Sequence, residues 1–216
     1  MQTRRELRIV AAAAAADLAR RWMLKARPDQ PEEAAKEAAK AAAELSHAIV
    51  QRMGGDSSEA EQFVMLNELQ YLVLKDAGEL PDVQVDLNYC RIRTDRTINF
   101  EKNKAKIENE AETRAMLEQV ATVCKLVRRL AAAKGFEPVK VLVEGHTNVK
   151  KWPPTDKKKE QHRGLSESRS KKVMKELKAL GVPKEMLRGV GRGCSKPLKK
   201  GSEINQRVEF VVEFEG

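Results

Sequence analysis

The sequence is poor in the residues on which several kinds of functional site depend. Aromatic residues make up 4% of the 216 residues, which is too few for a platform that stacks on single-stranded nucleic acid. The three cysteines and three histidines are too scattered for a disulfide framework, a zinc motif or an HExxH pair. No apolar run reaches the roughly 18–20 residues of a membrane-spanning helix. There is also no Ser/His/Asp or Cys/His set and no phosphate-binding loop, so we expect no enzyme activity, no cofactor and no metal site.

Positive charge is present but is concentrated in one quarter of the chain. The sequence has 41 Lys and Arg against 32 Asp and Glu, a net charge of +9. Residues 150–200 hold 17 of these basic residues and 5 of the acidic ones, whereas the rest of the chain holds 24 and 27. A local excess of this kind predicts one basic face or loop that meets an anionic partner, rather than a general polyanion binder.

The first 80 residues predict an Ala-rich, three-helix N-terminal region, 1–80. Helices are expected over residues 4–26, 31–53 and 58–75. Such a region either packs on the rest of the chain as an appendage or docks on another protein. The early Arg pair and the Ala run are only superficially like a signal peptide, because Glu6 and Asp17 interrupt and close the stretch. We therefore expect an intracellular or organellar location, with a mitochondrial presequence as an alternative, or a periplasmic location if the chain is a processed mature form.

The pattern changes period after Pro81. Val83, Val85 and Leu87 alternate with polar residues, and this strand is expected to continue as far as Thr94. The further elements are expected as a short strand at 97–100, a helix at 108–133, a strand at 139–144, a helix at 165–180 and strands at 187–190 and 208–214. The order predicts an α+β fold for residues 81–216, a βαβαβ sandwich with its helices on one sheet face.

Four motifs in this second part stand in the order of a known domain family. They are Ile98-Asn99-Phe100, VEGHTN at 143–148, GLSESR at 164–169, and GRG at 191–193 followed by NQRVE at 205–209. With them the chain resembles the OmpA-like domain, the C-terminal module of outer-membrane protein A, peptidoglycan-associated lipoprotein and MotB. The resemblance covers about 83–216. It implies a non-enzymatic binding module in which an Asp and an Arg hold diaminopimelate of the peptidoglycan stem peptide.

The resemblance also assigns ligand-binding positions. They are Asn148, His162, Leu165, Ser166, Arg169 and Arg207. The guanidinium of Arg169 would meet a ligand carboxylate, and the alternative from the residues alone is a salt bridge with Glu144 or Glu209. The family's Asp is Asn148 in this chain, which keeps an acceptor oxygen but loses the charge. Affinity for an ammonium group is therefore expected to be lower by about tenfold or more. The family's Asn before the Leu-Ser pair is His162, a second departure in the same pocket.

The connection between Asn148 and His162 is basic and longer than the family usually has. It contains the candidate partner-binding residues Lys150, Lys151, Trp152, Lys157, Lys158 and Lys159. The two prolines after the tryptophan predict a stiff, extended elbow. Three interpretations remain open: a solvated loop with the indole folded back on the domain, a docking loop for an acidic protein surface, or a nucleic-acid contact.

Taken with the motifs, these features predict a non-enzymatic anchoring or scaffold protein that is a subunit of a larger assembly. Its peptidoglycan-type groove is expected to be weakened, and its basic loop is expected to meet an acidic protein partner. A genuine peptidoglycan-binding anchor of the cell envelope is the alternative, and a nucleic-acid binder is less favoured. Association as a homodimer is a further expectation from the family.

Overall fold

The computed structural model of the protein contains a five-stranded sheet and two long helices. It describes residues 37, 40, 41, 44, 48, 69, 70, 72–86, 90–133, 139–148, 154–199 and 202–214. The chain divides into two compact units, of which the second comprises residues 73–86 and 90–216 and the first comprises the rest up to 89. None of the described helices is both long enough and apolar enough to cross a membrane.

Most of the predicted N-terminal region lies outside the described residues. The predicted helix over 4–26 lies outside them entirely, and that over 31–53 is described only at isolated helical positions. Residues 72–77 are helical, where the third predicted helix was expected to end. The three-helix arrangement of residues 1–80 therefore stays a prediction.

The elements of the sheet unit follow the predicted order from α1 onward. In chain order they are β1 (Val83–Asp86), β2 (Arg91–Thr94), α1 (Glu110–Ala133), β3 (Val139–His146), α2 (Asp156–Ala179), β4 (Leu187–Gly193) and β5 (Val208–Phe214). The strand order is β1-β2-β5-β3-β4. Strands β3 and β4 are parallel, and the other neighbouring strands are antiparallel. Both helices contact the sheet and each other, so the predicted α+β fold is confirmed.

The first strand of the prediction is wrong in its extent. Two separate antiparallel strands, β1 and β2, stand in its place, with Val83 opposite Thr94 and Asp86 opposite Arg91. Cys90 precedes the second strand with a positive φ of 53°, a backbone conformation that suits a reversal of the chain. Apolar alternation that runs through a turn looks like one long strand, because the period-2 pattern carries no sign of the reversal.

The predicted strand at 97–100 is also absent from the described residues. Phe100 makes only an isolated bridge with Ile107. The segment between them is a short loop that is closed by hydrogen bonds from the amide of Glu101 to the carbonyl of Lys106 and from Lys104 to Glu101. We call residues 100–107 the β2–α1 loop, and this loop forms one wall of the candidate site.

Helix α2 begins at Asp156 rather than at the predicted residue 165. The stretch from 157 to 163 consists of Lys, Glu, Gln, His and Arg, of which Lys, Glu, Gln and Arg are good helix formers. Gly164 lies inside the helix, where an added Cβ would meet nothing within 4 Å. The glycine is therefore tolerated inside the helix.

The core lies between the sheet and the apolar faces of the helices. In α1 the side chains of Leu117, Val120, Cys124 and Val127 recur at steps of three and four residues and are fully buried, whereas Leu130 is half-buried. Strand β3 is buried along nearly its whole length, as expected for a central strand that is covered by helices. The C-terminal end of β3 leads directly to Thr147 and Asn148. These residues therefore lie beyond the C-terminal end of the central strand.

Candidate ligand-binding groove

Arg169 of α2 is the central charged residue of the candidate site, and it is only 3% exposed. Its Nε donates a hydrogen bond to the carbonyl of Lys104 at 3.0 Å, and its Nη2 donates to the carbonyl of Glu101 at 3.4 Å. The guanidinium carbon lies 4.8 Å from the centre of the Phe100 ring, within the range of a cation–π contact. The β2–α1 loop therefore holds the guanidinium through neutral groups.

No carboxylate of the described residues lies within 4.0 Å of Arg169. The predicted alternative of a salt bridge with Glu144 or Glu209 is wrong, because those carboxylates bind the guanidinium groups of Arg192 and Arg207. Burial lowers the pKa of Arg169, and the more distant carboxylate of Glu108 opposes that shift only in part. A buried cation held by carbonyl groups is a site that a ligand carboxylate would stabilise.

Asn148 is connected to Arg169 by two adjacent residues of the turn before β5. The Nδ2 of Asn205 donates to the Oδ1 of Asn148 at 3.5 Å, and the Oε1 of Gln206 accepts from the Nη1 of Arg169 at 3.5 Å. Gln206 is exposed and its hydrogen bond is long. It is therefore the neighbour of Arg169 that an incoming carboxylate could replace most easily.

The hydrogen bonds of Arg169 leave donors that suit a carboxylate. A guanidinium has five N–H donors, one on Nε and two on each terminal nitrogen. The observed partners of Nε, Nη1 and Nη2 use one donor each. One donor remains on each terminal nitrogen, which is the number that a bidentate carboxylate uses.

Ser166 has a structural role next to Arg169. Its side chain is fully buried, accepts from the amide of Gly193 at 2.8 Å and donates to the carbonyl of Arg163 at 2.8 Å. It therefore joins α2 to the end of β4. A direct contact between the Ser166 hydroxyl and a ligand stays a prediction from the family. A contact between a ligand and the half-buried Leu165 also stays a prediction.

His162 lies half-buried one helical turn before Ser166. Burial lowers its pKa, and the charges of Lys158 and Arg169 lower it further, so the imidazole is mostly neutral near pH 7. Its Nδ1 is buried without a hydrogen-bond partner in the described part of the chain. The side chain is thus mostly neutral and cannot take the place of a carboxylate in the groove.

Glycines allow α2 to lie close to the sheet at this site. A Cβ on Gly145 of β3 would lie 2.2 Å from the backbone oxygen of Ser166, and a Cβ on Gly191 of β4 would lie 2.7 Å from the backbone oxygen of Arg163. Real Cβ atoms essentially never come this close to backbone atoms, so the helix would have to move away. The glycines of two of the family motifs therefore set the distance between Arg169 and the sheet.

A second cluster of charged side chains lies on the sheet, and it was not predicted from the sequence. Glu144 of β3 and Glu209 of β5 are directly opposite each other. The Nε2 of His146 lies 3.8 Å from one carboxylate and 3.9 Å from the other. The period-2 pattern puts Glu144 and His146 on one face, but only the register of β5 brings in Glu209. The three side chains offer ligand atoms within 4.8 Å of one another.

The electrostatics of this cluster favour ion pairing over metal binding. The Nε of Arg192 donates a hydrogen bond to Oε1 of Glu144 at 2.9 Å, and the Nζ of Lys196 lies 3.8 Å from Oε2 of the same carboxylate. Burial is the largest influence on the pKa of His146 and the charge of Arg207 is the next, and together they lower that pKa to about 4. With the imidazole neutral at pH 7, the surrounding guanidinium and ammonium groups already offset the carboxylates, so a divalent cation would be repelled.

Arg207, a predicted ligand-binding residue, is engaged in the same cluster. Its Nε donates to Glu209 at 2.6 Å and its Nη2 donates to the carbonyl of Lys196 at 3.2 Å. The observed contacts therefore stabilise the sheet and the connection between β4 and β5. Binding of a ligand by Arg207 stays a prediction.

The candidate partner-binding residues fall into two groups. Lys157, Lys158 and Lys159 lie in the first turns of α2 and are exposed, so they are not in a loop as predicted. Lys159 pairs with Asp156 at 2.8 Å. The other three, Lys150, Lys151 and Trp152, lie outside the described residues.

Comparison with known proteins gives a match to one family. The model of the OmpA family matches residues 99–209, whereas no curated protein sequence matches. Among solved structures, the C-terminal domain of MotB from Helicobacter pylori is 21% identical, covering 56% of this chain and 85% of that one with a TM-score of 0.40. The peptidoglycan-associated lipoprotein from Burkholderia pseudomallei is 20% identical, covering 54% and 87% with a TM-score of 0.39. A putative MotB-like protein from Desulfovibrio vulgaris is 18% identical, covering 72% and 95% with a TM-score of 0.44. Because the family match spans just over half of the sequence, this chain belongs to the OmpA family.

Proposed function

We propose that this protein is a non-enzymatic anchoring or scaffold module whose Arg169 groove binds a carboxylate of a peptidoglycan-type peptide weakly. The observation that carries the proposal is the buried guanidinium of Arg169, whose hydrogen-bond partners are all neutral. A ligand carboxylate supplies both the missing negative charge and the acceptors for the remaining donors. In this proposal residues 81–216 are the binding domain and residues 1–80 are a helical region that attaches it to a larger assembly.

The binding is proposed to be weak because the other half of the groove is neutral. Asn148 stands at the position of the Asp that meets the ammonium group of the family's ligand, and its amide carries no charge. His162 helps to shape the same pocket, and its imidazole supplies no negative charge. A hydrogen bond to a neutral acceptor contributes about 1 kcal/mol, whereas one to a charged group contributes about 1.5–3 kcal/mol. The groove therefore retains its site for a carboxylate and has a weakened site for an ammonium.

Sedimentation of the full chain with purified peptidoglycan tests this function. We expect the unsubstituted protein to bind. Arg169→Gln should lower the affinity for peptidoglycan by about tenfold, because a charge-assisted bidentate contact is lost. Arg163→Gln is the matched control, since it removes a positive charge from an exposed position of the same helix. The control should bind as the unsubstituted protein does.

A folding defect in Arg169→Gln would weaken that comparison, so competition supplies a second measurement. Free meso-diaminopimelate in excess should release the unsubstituted protein from peptidoglycan. Absence of peptidoglycan binding by the unsubstituted chain would refute this part of the proposal and leave the scaffold role alone.

Docking on an acidic protein surface is a second candidate function. It is supported by the exposed Lys157 and Lys158 at the start of α2, beside the sequence's basic connection. Charge reversal at both positions should abolish copurification of a partner from native extract, whereas reversal at Lys175 and Lys178, at the other end of the helix, should not. A protein that remains monomeric at physiological salt, with neither a bound partner nor a homodimer, would count against this function. Binding to nucleic acid with a steep salt dependence would favour the third alternative.

A further inference from the structure

The connection between β4 and β5 holds an unusual concentration of exposed aliphatic side chains. Leu198 is 61% exposed and Ile204 is 58% exposed, and they are the exposed large hydrophobic residues of the described part of the chain. Single exposed aliphatic residues are common on protein surfaces and need no explanation. Two of them within seven residues, on a chain whose other described large apolar side chains are at least partly covered, indicate a contact surface.

The side chain of Asn205 braces the backbone of this connection. Asn205 is 3% exposed and its side chain closes the loop. Its Oδ1 accepts from the amides of Leu198 at 2.8 Å and Lys199 at 3.3 Å, and its Nδ2 donates to the carbonyl of Lys199 at 2.6 Å. The backbone at Leu198 is therefore tied to Asn205, the residue next to Ile204, which reduces the backbone entropy that would be lost on docking.

Lysines lie on both sides of Leu198 in the sequence. Lys199 is exposed, and Lys196 is exposed but lies 3.8 Å from a carboxylate oxygen of Glu144. Glu203 is the sole acidic residue between β4 and β5 in the sequence. The connection thus combines exposed aliphatic residues with the positive charge of Lys199.

We propose that this loop docks the domain on an anionic membrane surface. Leu198 and Ile204 enter the headgroup region, and the lysines contact anionic headgroups. Leucine is under-represented among the residues that dominate binding at protein interfaces, where aromatic and Arg anchors fill fitted pockets. A bilayer surface needs no fitted pocket for an aliphatic side chain, and each nearby lysine strengthens binding to it by about fivefold.

The proposed surface differs from the Arg169 groove and does not depend on what the groove binds. The two are neighbours, however, because Asn205 also donates to Asn148. Docking through the loop would therefore hold the groove close to the lipid surface.

Cosedimentation of the full chain with vesicles tests the proposal. The probes are phosphatidylcholine vesicles and vesicles that also contain about 30 mol% phosphatidylserine, at about 0.1 M salt. We expect binding to the anionic vesicles and little binding to the neutral ones. Leu198→Ser with Ile204→Ser should lower the partition coefficient by about tenfold or more. Lys199→Ala should lower it by about fivefold.

The matched control is Lys175→Ala, which removes the same charge from an exposed position of α2. It should change the partition coefficient by about twofold at most. Absence of binding to anionic vesicles, or binding that does not depend on the aliphatic pair, would overturn the proposal. An equal loss in the control variant, or tighter binding to soluble polyglutamate than to vesicles, would overturn it as well, and the second result would assign the surface to an acidic protein.

Discussion

Restoring the missing charge of the groove should strengthen its binding of a zwitterionic ligand. The change is Asn148→Asp, at a half-buried position whose Oδ1 accepts a hydrogen bond from Asn205 at 3.5 Å. An aspartate oxygen can accept the same hydrogen bond, so the turn that leads to Gln206 and Arg169 should be preserved. The substitution therefore adds a negative charge with little rearrangement.

The size of the effect follows from the difference between two kinds of hydrogen bond. A neutral acceptor contributes about 1 kcal/mol and a charged one about 1.5–3 kcal/mol, so the gain is about 0.5–2 kcal/mol. This corresponds to about 2-fold to 30-fold in affinity, and partial exposure of Asn148 places the expected value near the middle, at about tenfold. The gain should shrink as salt is added, because partly exposed charges are screened.

Isothermal titration of the unsubstituted protein and the variant with meso-diaminopimelate measures this gain. Pimelate is the matched ligand, since it has the same two carboxylates and chain but no ammonium groups. Affinity for pimelate should fall or stay constant in the variant, and Asn148→Ser should bind both ligands much as the unsubstituted protein does. An equal change for both ligands, or no gain for diaminopimelate, would show that the loss of charge at Asn148 does not weaken this groove.

Three further predictions concern stability and reactivity. Gly145→Ala should destabilise the fold by about 3 kcal/mol in urea unfolding because its Cβ would lie 2.2 Å from a backbone oxygen of α2, whereas Gly164→Ala, with nothing within 4 Å, should stabilise it by about 1 kcal/mol. Because burial and nearby cations lower the pKa of His146 from 6.5 to about 4, the unfolded chain takes up that proton first. The stability contributed by the neutral His146 should therefore be complete above about pH 6.5 and should be lost as the pH falls toward 4. His146→Gln should remove this part of the pH dependence of the unfolding free energy. Burial raises the pKa of the Cys124 thiol to about 12, so alkylation at pH 8 followed by mass spectrometry should modify the half-buried Cys90 and leave Cys124 unmodified until the protein is denatured.

The sequence predicted the fold well wherever an element has a single strong period. The apolar stripe of α1 and the strand β3 lie close to where they were expected, because their residues are buried for reasons that the local pattern contains. The errors fall where the local pattern of apolar residues does not show where the chain turns or where a helix begins. The alternation of β1 continues into the antiparallel strand β2, and α2 extends back through charged residues that have no apolar stripe.

Motif positions predicted which side chains meet at the groove, but not what each one does there. Arg169 and Asn148 are linked through the turn before β5. In contrast, Ser166 and Arg207 are engaged in bonds that hold elements together. The difference depends on the register of β5 and on the course of the β2–α1 loop, which bring distant residues into contact. No spacing within a single segment contains that information.

Arg169 and Arg192 differ in whether a carboxylate of the chain pairs with the guanidinium. Arg192 lies beside a carboxylate that is itself buried, and the pair is satisfied within the chain, which raises the pKa of Arg192. Arg169 is buried among carbonyls and an aromatic ring, and its pKa is lowered. Stability alone would favour an apolar side chain or a paired charge at such a position, because an unpaired buried cation costs free energy. The cost is understandable if a carboxylate from outside the chain completes the site.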